Sequence, residues 1–176
     1  MATFASTQDF TVSQSADCTT LTLTDISNYT SNDEGWLIGS FTNRKFLVYD
    51  SDGVLVTTIN LGLLLTATYT LTVDKMLSIT LSCTPPTGPA LLKTHSVLST
   101  CFLQLCYAEL VANTECGCGG SCGCSSSGCE NTDSDKVKLL QYIKAADIFA
   151  EYSNPVLAQK QLDAGQLICD ANNNNA

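Results

Sequence analysis

From Phe10 to Cys83 the sequence alternates apolar and polar residues at period two, as in Phe10-Thr-Val12-Ser, Leu21-Thr-Leu23-Thr, Tyr69-Thr-Leu71-Thr-Val73 and Ile79-Thr-Leu81-Ser-Cys83. Alternation of this kind puts every second side chain on one face of an extended strand, so these segments read as half-buried strands. Between them lie Asp25-Ile-Ser-Asn28, Ser31-Asn-Asp-Glu-Gly35 and Asp50-Ser-Asp-Gly53. Short polar side chains that bond their own backbone, with glycines that tolerate positive φ, reverse the chain at such points. Phe46-Leu-Val-Tyr49 and Val54-Leu-Val-Thr-Thr-Ile59 flank the last of these clusters and form the clearest hairpin. Roughly six or seven short strands at this spacing predict an antiparallel β-sandwich, immunoglobulin-like or a related Greek key.

The period then changes. Thr84-Pro85-Pro86-Thr87-Gly88-Pro89 removes backbone donors and bars helix before each proline, so a domain boundary is expected there, with a sandwich over 1–88 and a helical segment over 89–176. Val97, Leu98, Cys101, Phe102, Leu105, Ala108 and Ala112 recur at steps of three and four, the stripe of an amphipathic helix. Residues 116–129 are rich in Gly, Ser and Cys, have no apolar period, and read as a loop. Thr132 and Asp135 resemble a capping box opening a helix that carries Leu139, Tyr142, Ile143, Ala146 and Phe149 on one face. Asn154-Pro155 is an N-cap followed by proline at the first helical position, and Leu157, Gln161, Leu162, Gly165 and Ile168 continue behind it. These two helices form a C-terminal hairpin, and Asn172 to Asn175 read as a fraying tail. The fold class is therefore α+β, a β-sandwich followed by a small helical segment with a Cys-rich loop.

Charge limits the partners. Seventeen acidic against eight basic residues give a net charge of −9, and no local run of Lys or Arg offsets the field that this sets up against phosphate backbones. Direct nucleic-acid binding is not expected. The longest aliphatic run, Leu61-Gly62-Leu63-Leu64-Leu65, falls far short of the roughly 20 residues that span a bilayer. The first residues carry neither a basic segment nor an apolar one, so folding in cytosol is expected. Ten cysteines sit awkwardly with a reducing compartment, where metal ligation and free thiols come before disulfides.

The densest chemical signal is Cys116-Gly-Cys118-Gly-Gly-Ser-Cys122-Gly-Cys124-Ser-Ser-Ser-Gly-Cys129. Four thiolates about 2.3 Å from zinc satisfy tetrahedral coordination, and the glycines let the backbone turn between them. The Cys-x-Cys pairs lie closer together than the two separated Cys-x-x-Cys knuckles of a zinc ribbon, so zinc at Cys116, Cys118, Cys122, Cys124 and Cys129 competes with thiols that later oxidise to disulfides. Cys101 and Cys106 lie about 140° apart around one predicted helix and do not pair with each other. Cys101 is expected in the apolar stripe, and Cys18, Cys83 and Cys169 as small buried hydrophobes. His95, the only histidine, has no accompanying nucleophile-elbow pattern and reads as a surface or capping residue. Asp50-Ser-Asp52-Gly53 lacks the distal bidentate Glu of a calcium loop and reads as a turn. No residue is expected to be catalytic, and no phosphate-cradling glycine loop is present to bind a nucleotide. Trp36 and the apolar connection Leu63, Leu64 and Leu65 are either tucked against the core or contact points for a neighbouring subunit.

Phe10-Thr-Val-Ser-Gln-Ser15, Asp17-Cys18-Thr-Thr-Leu-Thr-Leu-Thr-Asp25-Ile-Ser-Asn-Tyr29, Asn32-Asp-Glu-Gly35 and Phe41-Thr-Asn-Arg-Lys-Phe46 together resemble small structural proteins of tailed bacteriophages, of the kind found in crAss-like and other Bacteroidetes-infecting phages. The resemblance implies a virion component of the neck, collar or tail. Such a protein is made in host cytoplasm, is present in several copies, and packs against itself and other virion proteins. Two other classes compete with it: a sandwich that recognises host glycan or protein through the loops bearing Trp36 and Asp52, and a small metal-binding or redox protein using Cys116 to Cys129.

Overall fold

The computed structural model describes residues 8–29, 38–86, 88–112 and 129–173, and the side chains of all of these except 38 and 129–133. The chain divides into two compact units, the first holding residues up to Thr72 together with Leu77–Val97, the second Val73–Met76 with Leu98–Ala176. Among the described residues the architecture is α+β, seven antiparallel strands in two sheets followed by three helices.

In the first unit the alternating residues make strands, except that of Tyr69–Val73 only Tyr69 and Thr70 do so, at the end of a strand over Thr66–Thr70. Strands β1 (Phe10–Gln14), β2 (Thr20–Asp25) and β5 (Thr66–Thr70) form one sheet in the order β1-β2-β5. Strands β3 (Thr42–Tyr49), β4 (Leu55–Asn60), β6 (Met76–Thr84) and β7 (Leu91–Leu98) form the other in the order β4-β3-β6-β7. The register pairs Val12 with Leu23 and Leu23 with Ala67 in the first sheet, and Phe46 with both Ile59 and Leu81 in the second. Leu21 and Leu23 of β2, Phe46 and Val48 of β3, and Ile79 and Leu81 of β6 are thereby buried. Phe10 of β1 meets Phe46 of β3 edge to face at 5.2 Å between ring centres, so the inward faces of the two sheets share one core.

The Asp50–Gly53 reversal closes as a hairpin. The Asp50 carboxylate accepts the amides of Asp52 and Val54 at 3.0 and 2.8 Å, and Gly53 supplies the positive φ of 78°. An aspartate so engaged with its own backbone is turn chemistry, as its sequence suggests.

Pro85, Pro86 and Pro89 lie between β6 and β7, inside the first unit, which the chain leaves over Val73–Met76 and again after Val97, so the prolines do not mark its end at 88. Prolines that bar helix serve equally well in a link between antiparallel strands. Val97 and Leu98, read as the opening of a helical stripe, close β7, where Thr94 shares a 2.7 Å hydroxyl contact with Thr80 of β6.

The second unit contains α1 (Cys101–Ala112), α2 (Cys129–Glu151) and α3 (Pro155–Asn173). Asp74 starts α1: its carboxylate accepts the amides of Phe102 and Leu103 at 3.1 and 2.8 Å and the Ser99 hydroxyl at 2.6 Å, filling donors that a first helical turn leaves open. Helix α2 begins at Cys129, so Thr132 falls inside it instead of capping it. It ends at Glu151, and just beyond it Ser153, at a φ of 55°, lets the Asn154 amide reach the Phe149 carbonyl at 2.8 Å. Asn154 then caps α3 through the Leu157 amide at 3.2 Å. Leu139, Ile143 and Ala146 of α2 face Ala158, Leu162 and Cys169 of α3, and Leu103, Leu110 and Met76 complete this core. No helix among the described residues is long and apolar enough to cross a membrane.

Candidate functional site

Residues 61–65 connect β4 to β5, and each of these strands is the outermost of its own sheet. Leu61 points inward and is 3% exposed, whereas Leu63, Leu64 and Leu65 are 72%, 67% and 49% exposed. An apolar run that turned itself inward would bury all four. What divides them is a tight turn in which the Leu64 amide bonds the Leu61 carbonyl at 2.9 Å, with Gly62 at a φ of +56°. A side chain at 62 would have space but would be held in the left-handed region, so glycine is required there by conformation alone.

The connection is fixed to the sheets at both ends. At its start the Leu61 amide donates to the Arg44 carbonyl at 2.9 Å, and Arg44 Nη1 donates to the Gly62 carbonyl at 2.7 Å. At its end the Asp25 amide donates to the Leu65 carbonyl at 2.8 Å. Arg44 and Asp25 are themselves joined, Nη2 to Oδ2 at 2.6 Å, with both side chains fully buried. Tyr29 completes the network: its hydroxyl donates to Asp25 Oδ2 and accepts from Arg44 Nε at 3.2 Å, and its ring lies 4.9 Å below the guanidinium carbon and 4.8 Å from the Phe41 ring. The Ser27 amide takes the remaining carboxylate oxygen at 3.0 Å.

This arrangement sets the protonation states. Burial works to raise the Asp25 pKa, but the hydrogen bonds from Ser27, Tyr29 and Arg44 outweigh it and hold the carboxyl below its ordinary value. Burial, reinforced by the bond to Asp25, pushes Tyr29 up to about 12, so it remains a donor. Cys83, buried beside Phe41 and Tyr29, is pushed up to about 11 by burial and by the Asp25 charge, and stays an unreactive thiol.

Both halves of the ion pair occupy core positions by strand parity. Asp25 follows Leu21 and Leu23 on the inward side of β2, and Arg44 precedes Phe46 and Val48 on the inward side of β3. Sequence reasoning assigned Asp25 to a turn cluster and gave Arg44 no role, although the period-two register carries the signal. An irregularity in the pairing of β3 with β6 between Thr42 and Lys45, with Asn43 at a φ of 52°, accompanies the turn of Arg44 inward.

The remaining predicted positions are scattered. Trp36, Cys116, Cys118, Cys122 and Cys124, and the side chain of Cys129, lie outside the described residues. Among the described residues no three metal-capable side chains cluster. His95 lies on β7, partly exposed, with Nε2 2.8 Å from Asp9 Oδ1 and its ring 4.6 Å from Phe10. Asp52 is exposed at the tip of the β3–β4 hairpin.

The cysteines require a correction. Cys18, Cys101, Cys106 and Cys169 are disulfide-bonded, and Cys106 pairs with Cys169 across 63 residues. Cys18, Cys83 and Cys169 are buried as expected, but of these and Cys101 only Cys83 is a free thiol. Comparison with known proteins yields no matching family model, no matching curated relative and no matching solved structure.

Proposed function

We propose that the chain is a non-enzymatic assembly protein that packs against copies of itself and neighbouring subunits through the 61–65 connection and the edge strands beside it. The observation that carries this reading is the buried Asp25–Arg44–Tyr29 network behind three exposed leucines. A group that is already ordered loses little entropy on docking, and burying each leucine is worth about 1.5–3 kcal/mol, so a clamped apolar loop is well suited to a contact. The sequence between Asp52 and Asp74, which contains β4, the connection and β5, carries no charged residue. Edge strands are ordinarily guarded by lysine or proline, and these two have neither.

The strand orders β1-β2-β5 and β4-β3-β6-β7 support a finer reading of the first unit as an immunoglobulin-like sandwich, with strands in the A-B-E and C′-C-F-G positions. The resemblance to small phage structural proteins makes a neck, collar or tail component of a virion the most specific form of the proposal. The protein is then made in host cytoplasm and released by lysis, which reconciles a cytosolic start with oxidised cysteines.

The test is sedimentation velocity of the full chain beside a Leu63→Ser/Leu64→Ser variant, with particles purified from a producing host analysed for the protein by mass spectrometry. The expected result is a wild-type multimer, a monomeric variant with unchanged thermal unfolding, and stoichiometric protein in the particles. A wild-type monomer that is absent from particles would sink the proposal.

A further inference from the structure

Helix α1 is held to the rest of its unit in two different ways along its length. Its first turn, which opens on the disulfide-bonded Cys101, is capped by the Asp74 carboxylate on the amides of Phe102 and Leu103. There the Leu103 side chain is fully buried over Gly165, so close that a Cβ at 165 would stand 2.8 Å from its Cδ1. Beyond that turn the helix buries only Leu110, while Leu105 and Val111 are exposed. A helix of 12 residues is marginal in water by its own propensity and depends on packing of an apolar face. In its distal half that face is Leu110, the half-buried Tyr107 and the bond from Cys106 to Cys169 of α3.

We propose that the Cys106–Cys169 disulfide is a redox latch on the distal half of α1. When the bond is formed, residues 106–112 dock on α3; when it is reduced they are released, while the Asp74-capped first turn and the α2–α3 pair keep their packing. The bond opens by exchange with a small thiol such as glutathione. The external thiolate attacks Sγ of Cys106, which is half-buried, in preference to Cys169, which is 3% exposed. A mixed disulfide forms at Cys106 and the Cys169 thiolate leaves and takes a proton. A second glutathione thiolate then attacks the mixed disulfide, giving oxidised glutathione and the Cys106 thiolate, which is protonated in turn. Two electrons pass to the chain and two glutathione molecules become one disulfide; closing the latch is the reverse, with oxidised glutathione as oxidant. Cys83, buried and held as a neutral thiol, does not compete.

Hydrogen exchange measured by mass spectrometry on the full chain tests the latch, comparing wild type with Cys106→Ala/Cys169→Ala and leaving every other cysteine in place. Amides of 106–112 should exchange at least about tenfold faster in the variant, with those of 139–150, 158–165 and the β strands changed by less than about threefold. Unchanged protection over 106–112 overturns the proposal, because the helix then docks without the bond. Loss of protection across α2 and α3 overturns it too, because the bond then holds the whole unit. If the variant does not fold, wild type in glutathione buffers, quenched with acid and mapped by peptide, gives the second reading. Of the two latch cysteines the adduct is expected on Cys106, and an adduct mainly on Cys169, or global unfolding that coincides with loss of the Cys106–Cys169 bond while Cys18 and Cys101 stay oxidised, rejects the latch.

Discussion

Arg44 is a cation in a row of apolar side chains, and its position there is sustained by the groups that face it. Removing one member of a fully buried ion pair strands the other, at a cost of about 3–5 kcal/mol. Arg44→Met keeps most of the volume but leaves the Asp25 carboxylate without its counter-charge and the Gly62 carbonyl without its donor. Urea unfolding followed by tryptophan and tyrosine fluorescence should show a loss of that size, and a loss below about 1 kcal/mol would mean that the network contributes little. The pH dependence gives a second check with a definite sign. In the wild type Asp25 is held below its unfolded value, so its contribution is complete above that value and lost as pH falls through the native one, in the region below about pH 4. In Arg44→Met, burial without the cation raises the Asp25 pKa above the unfolded value, so the variant should gain stability between about pH 7 and pH 5 where the wild type is flat. Parallel curves for the two proteins would show that Asp25 is not the group responsible.

At the level of elements, the sequence reveals what repeats and conceals what depends on a distant partner. Strands β1 to β4 and β6 were legible because half-buried antiparallel strands write their two faces directly into alternate residues, β5 only at its end, since the alternation of Tyr69–Val73 runs past Thr70, and α2 and α3 because Leu139, Ile143 and Ala146, then Leu162 and Gly165, recur at helical spacing. Strand β7 was hidden: the polar residues Lys93 and His95 interrupt its apolar run, and Val97 and Leu98 fall in phase with α1. The Cys106–Cys169 bond could not be read at all, since it depends on how α1 lies on α3, across 63 residues of sequence. Half of the candidate site was visible, as an apolar run between strands; the ion pair behind it was masked by the habit of assigning charged residues to turns. The contact between α1 and α3 that makes the disulfide reachable has its own test. Gly165 is buried against the Cδ atoms of Leu103 and one Cδ of Leu139. Gly165→Ala gains about 1 kcal/mol of helix propensity but overpacks, and Leu103→Ala opens a cavity at about 2–5 kcal/mol. In the double variant the new methyl group occupies part of that cavity. The double-mutant cycle from urea unfolding should therefore give a favourable coupling of about 1 kcal/mol or more, and strict additivity would mean that the two side chains do not share a space.

For the molecule as a whole, the distribution of charge decides how copies can meet. The chain carries a net −9, yet β4, the 61–65 connection and β5 contribute none of it. Two copies approaching with these neutral segments in front still repel through the rest of their surfaces, and that repulsion is screened by salt over a Debye length of about 10 Å at 0.1 M. A contact made by leucines and uncharged strand edges keeps its own strength as salt rises, so its net affinity should increase while the opposing field is screened out. A contact made by pairing acidic with basic patches should weaken under the same change. Sedimentation equilibrium of the wild type between about 0.05 and 0.5 M sodium chloride separates the two, with self-association expected to tighten several-fold across that range. Weakening with salt would place the contact among charged side chains, away from Leu63, Leu64 and Leu65. A salt response that persists unchanged in Leu63→Ser/Leu64→Ser would lead to the same conclusion from the other direction.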